Sequence, residues 1–85
     1  MRRLTENEII QLQSCKGVKD GNFKFFDVLR EIYFNDEETL EKINHLYEML
    51  DSLDDLEQYP GVYPKTKNMY YDFMDEFLSE IGYHA

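Results

Sequence analysis

Cysteine is nearly absent from this chain of 85 residues: Cys15 stands alone, so no internal disulfide can form and a stapled secreted mini-protein is excluded. Tryptophan is missing, and Pro60 and Pro64 are the only prolines. No apolar run approaches the roughly 18 residues that a membrane-spanning helix requires. A secretory signal core is also missing, since Met1-Arg2-Arg3-Leu4 leads into Thr5-Glu6-Asn7-Glu8, and the expectation is a cytoplasmic protein that engages no membrane. The scarcest class is the bases, with 9 Lys+Arg against 18 Asp+Glu and a formal net charge of -9. So few cations argue against direct nucleic-acid binding, because such a surface repels phosphate. The four glycines form no phosphate-cradling loop.

What is present is 42% hydrophobic and 15% aromatic content, with seven Tyr and six Phe. That is too much apolar material for a disordered chain and enough for one small core. Residues 1–85 therefore read as a single acidic domain. The charge is uneven along it. Residues 1–34 hold five acids and six bases, a balance of +1. Residues 35–59 hold nine acids against Lys42 alone, a balance of -8. Such asymmetry points to a charged partner surface.

Periodicity predicts four helices. The first covers about 6–14, opened by a Thr5-x-x-Glu8 capping box, with Leu4 stapled to Ile9. Lys16 to Asn22 reads as a turn, followed by a helix over about 23–34 capped by Asn22, in which Phe25, Phe26, Leu29, Ile32 and Tyr33 share a face. A third helix starts at an Asn35 cap and keeps Leu40, Ile43, Leu46, Tyr47, Leu50, Leu53 and Leu56 in register to about residue 57, where Pro60 prevents continuation. The last covers about 69–81 between Asn68 and Gly82, with Tyr70, Phe73, Met74, Phe77, Leu78 and Ile81 inward. The fold class is all-α, a compact bundle of three to four helices. The alternative is an α+β fold with a short hairpin near residues 16–28, where Phe23-Lys24-Phe25 alternates after an Asp-Gly pair.

Catalysis is not expected. Cys15 with His45 or His84 lacks an orienting third group. Glu41 and His45, four residues apart, are one pair where a structural metal site normally needs four ligands, so no metal or other cofactor is expected. Asp51 to Glu57 lacks the central glycine of a calcium loop and keeps helical leucine spacing.

The acids themselves are the candidate site. At about 1.5 Å per residue, a helix over 36–58 is roughly 35 Å long, and its nine carboxylates come about once per 4 Å of axis. Phosphates follow one DNA strand every ~3.4 Å. The expected partner is a basic nucleic-acid-binding protein, met by Glu37, Glu38, Glu41, Glu48, Asp51, Asp54, Asp55 and Glu57 as phosphate surrogates. Asp72, Asp75 and Glu76 would extend the patch if the last two helices pack side by side, while Tyr59 and Tyr63, flanking Pro60-Gly61 in a connecting loop, would anchor it. Two alternatives stand beside this. The acids keep a Tyr- and Phe-rich domain soluble, or an apolar surface of Met49, Tyr59, Tyr63, Met69 and Tyr71 docks a partner or a second copy as a homodimer.

In size, charge and lack of catalytic signals, the chain resembles the small acidic antagonists that phages and mobile elements encode. Among these are DNA-mimic inhibitors of nucleoid, restriction or CRISPR proteins, and immunity proteins against nuclease toxins are a related likeness. The resemblance implies inhibition by protein–protein contact. It rests on no shared motif and transfers no functional residue.

Overall fold

A computed structural model describes residues 2–15 and 21–83. It contains four helices: α1 (Glu6–Gln13), α2 (Gly21–Ile32), α3 (Glu37–Leu56) and α4 (Tyr63–Ile81), with no strand among the described residues. The all-α expectation holds. The hairpin alternative fails from Gly21 onward, because Phe26, Leu29 and Tyr33 can share one buried face only at helical spacing. The expected turn at residues 16–20 lies outside the described residues.

Each helix boundary has a local cause. Thr5 caps α1 through the expected box: its hydroxyl accepts from Glu8 N at 3.3 Å, and Glu8 Oε1 accepts from Thr5 N at 2.8 Å. Helix α2 begins at Gly21, so Asn22 lies inside the first turn instead of capping it. There Phe23 reaches Tyr47 edge-on, with ring centroids 5.5 Å apart.

Asp36, not Asn35, caps α3. One oxygen accepts from Thr39 N at 3.2 Å and the other from the Thr39 hydroxyl at 2.7 Å. Thr39 is buried, so its hydroxyl needs a partner, and a carboxylate can satisfy both groups at once. Those bonds hold the Asp36 carboxyl below the usual aspartate range.

The largest boundary error concerns α4, which starts at Tyr63, six residues before the expected start and ahead of Asn68. Pro64 falls in the first turn, where a missing N–H costs nothing. At the other end Gly82 adopts φ 77°, and Tyr83 N donates to Leu78 O at 2.9 Å, as a left-handed C′ glycine permits.

Helix α3 packs against both α2 and α4, and α1 packs against α2. One core draws on all four: Leu12, Phe26, Leu29, Ile43, Leu46, Leu53, Tyr70, Phe77 and Ile81. Each fully buried side chain of this kind contributes roughly 1.5–3 kcal/mol. The segment before α1 closes the bundle by tying its two ends together. Leu4 N donates to Ile81 O at 2.8 Å, and Tyr33 Oη donates to Arg2 O at 2.7 Å.

Candidate functional site

Helix α3 turns Ile43, Leu46 and Leu53 to the core, and the 3.6-residue period places its acids on the far side. Glu37, Glu41, Glu48, Asp51 and Asp55 are all exposed and fall within an arc of about 80° at about 100° per residue. From Glu37 to Asp55 the stripe runs about 27 Å along the axis. The whole helix is 20 residues, or about 30 Å, shorter than the expected 35 Å because it ends at Leu56.

No ion pair among the described residues involves a member of this stripe. The nearby bases are engaged elsewhere. Arg30 lies over the Tyr47 ring at 4.4 Å and donates to Asn44 Oδ1 at 2.9 Å. Lys42 leans the other way, across to Glu80 of α4 at 3.3 Å. No base occupies the last turn of α3, although Asp54 and Asp55 stand there and Glu57 is its C-cap. The negative end of the helix dipole disfavours Asp55 and Glu57.

Not every expected acid joins the stripe. Glu38 is rotated by about 100° toward α4, and Glu57 is set apart at the helix end. The side chain of Asp54 lies outside the described residues. On α4, Asp72, Asp75 and Glu76 are exposed. Glu76 and Glu80 face α3, whereas Asp75 is turned about 100° from Glu76 and does not extend the patch.

Where α3 and α4 run side by side they leave a groove of about 380 Å³, lined by Glu41, Lys42, His45, Leu46, Phe73, Glu76, Phe77 and Glu80. Leu46 and Phe77 form a buried floor. Phe73 was expected in the core but is 44% exposed, because Tyr70, Met74, Phe77 and Ile81 already fill the inward arc of α4. Met69, four residues before it on the same side, is also exposed. Glu41 and His45 share the groove, yet no group of three metal-ligating side chains is assembled among the described residues.

The expected tyrosine and methionine surface is split. Tyr59 and Tyr71 are exposed, but Tyr63 belongs to α4 rather than to a loop and packs on the core beneath Lys67, 5.6 Å from its ring. Met49 is half-buried against the core. Met69 and Tyr71, two positions apart, sit on opposite sides of α4. Sequence reasoning missed the Lys42–Glu80 bridge and the opening beside Phe73, neither of which leaves a periodic signal. Cys15 is buried, with Sγ 3.8 Å from Gln11 O, and His84 lies outside the described residues.

Compared with known proteins, the chain matches no family model, no curated relative and no solved structure.

Proposed function

We propose that this protein is an acidic binding protein that occupies the basic, nucleic-acid-binding surface of a partner protein, as an inhibitor acting by DNA mimicry. The observation that carries the reading is the unpaired carboxylate stripe of α3, about 27 Å long on one face. The stripe has an electrostatic cost. Glu37–Glu41 and Asp51–Asp55 are like-charged neighbours four residues apart, each unfavourable by a few tenths of a kcal/mol. A surface serving solubility alone avoids that cost by mixing signs. Spacing supports the same conclusion. Carboxylates four residues apart stand ~6 Å apart along the axis, a repeat that fits a groove lined with Lys and Arg. The summed field also speeds encounter with such a groove at low salt.

The test is competition. The partner, recovered at low salt and eluted on a salt gradient, is expected to release its nucleic acid when this protein is added. A stripe variant carrying Glu48→Gln, Asp51→Asn and Asp55→Asn should lose that ability with its helix content unchanged. Undiminished competition by this variant would sink the mimic reading.

A second reading, a regulatory module docking through an apolar surface, is favoured by the exposure of Met69 and Phe73 beside the groove. Salt separates the two, because apolar docking barely responds to ionic strength.

A further inference from the structure

We infer that the groove between α3 and α4 is a docking slot for a basic amphipathic helix of the partner, which makes it the anchor point of the acidic surface. The inference rests on the binding-protein reading above and adds where the partner is gripped and by which kind of segment.

Three observations converge on this slot. Its floor is apolar, built from Leu46 and Phe77, with Phe73 rising at its edge while 44% exposed. A phenyl ring left open beside exposed Met69, with carboxylates on both rims, offers the aromatic contact area that interface cores favour. The rim is anionic from both sides. Glu41 projects from α3 and Glu76 from α4, and neither makes an ion pair among the described residues. Lys42 is neutralised by Glu80, so the net demand of the rim is for cations. Finally, the groove is open to solvent along the seam between neighbouring helices, so a chain segment can lie in it.

A helix satisfies all three conditions. Apolar residues at three- and four-residue spacing seat one face on Phe73 and the floor. Lys or Arg at the margins of that stripe meet Glu41 on one side and Glu76 on the other. Charge complementarity then sets orientation, while the apolar anchor slows release.

The probe is a synthetic 14-residue peptide of Leu and Lys with leucines at helical spacing, compared with a peptide of identical composition whose leucines are scattered. Binding is read by fluorescence anisotropy at low salt, with amide NMR shifts to locate it. The ordered peptide should bind at least tenfold more tightly than the scattered one and shift His45, Leu46, Phe73 and Phe77. Phe73→Ala should erase most of that ratio. The site is exposed and alanine favours helix, so unchanged circular dichroism is expected. Glu41→Gln with Glu76→Gln should weaken the ordered peptide without touching the core.

The stripe variant (Glu48→Gln, Asp51→Asn, Asp55→Asn) should weaken both peptides equally and leave their ratio intact. Equal binding of the two peptides, or a ratio that survives Phe73→Ala, overturns the docking slot. If the stripe variant still weakens both peptides, the acidic-surface reading survives that loss. A large ratio with no effect of the stripe variant has the opposite meaning: the slot stands and the stripe falls. A groove already filled by a second copy would show as a doubled mass in sedimentation that Phe73→Ala abolishes, and that result overturns the helix assignment.

Discussion

Neutralising Glu8 tests the clamp that closes the bundle, and the outcome depends on pH in a defined way. Glu8 Oε1 accepts from Arg2 Nη1 at 2.9 Å and Oε2 from Arg2 Nη2 at 3.1 Å, a fork-to-fork pair. The same carboxylate completes the cap of α1. Arg2 in turn donates to Ile32 O, the last residue of α2, at 3.2 Å and lies 5.0 Å over the Tyr33 ring. The Arg2 bonds, helped by Thr5 N–H, pull the Glu8 carboxyl from 4.5 down to about 2. Taken whole, that separation corresponds to about 3 kcal/mol at about 1.4 kcal/mol per pH unit. The Arg2 side chain is 46% exposed, however, so solvent screening leaves about 1 kcal/mol.

Glu8→Gln keeps one oxygen to accept from Thr5 N–H, but it removes the charge and replaces one of the two oxygens that accept from Arg2 with a donor. It should lower the melting midpoint at pH 7 by about 4–8 °C. A depressed carboxyl stabilises the fold fully above pH 4.5 and loses that contribution as pH falls toward 2. The gap between parent and variant should therefore shrink across that window and vanish near its lower end. Thermal unfolding followed by circular dichroism at several pH values reads it directly. Comparing the two proteins at each pH cancels the shared effect of protonating the other acids. A gap that stays constant down to pH 2, or none at pH 7, would refute the clamp.

Two further outcomes follow from the structure. Gly82→Ala forces a Cβ onto a left-handed residue at φ 77° and should destabilise by about 1 kcal/mol. The new methyl would stand 2.8 Å from Arg3 Nη2, which can swing into solvent; an unchanged urea midpoint would contradict this account. Burial, with Tyr71 alongside, pushes the Tyr70 hydroxyl up from 10.0 to about 12. In an ultraviolet titration Tyr70 should ionise late, and stability should be full below pH 10 and fall as pH climbs toward 12. Early ionisation of all seven tyrosines while the fold persists would disprove it.

The helices were legible because their signals are local. A Thr-x-x-Glu box, leucines three and four apart, and a glycine after the last apolar position act within a turn or two of chain. The misplaced ends were those decided by a contact. Thr39 is buried and needs both Asp36 oxygens, which moved the α3 cap by one residue. Pro64 ended the stretch read as a connection between helices, but a proline in a first turn is harmless, so α4 begins there. Tyr63 was read as a loop anchor for the same reason.

The site divides along the same line. The acid stripe is a single-helix property, so spacing alone placed Glu37, Glu41, Glu48, Asp51 and Asp55 on one face. Whether Glu76 or Asp75 joins them depends on how α4 is rotated against α3, which no pattern within α4 encodes.

By itself, then, the sequence determined four helices, their buried faces and where the negative charge lies, because these follow from the 3.6-residue period and from residue type. Only the tertiary structure decided which neighbours those faces meet. Of the six residues expected inward on α4, Tyr70, Met74, Phe77, Leu78 and Ile81 pack on the core, and Phe73 was left at a groove edge. The pairing of α3 with α4 set Glu41 opposite Glu76 and spent Lys42 on Glu80. Those are contacts between residues more than thirty positions apart in the chain, and packing alone brings them together.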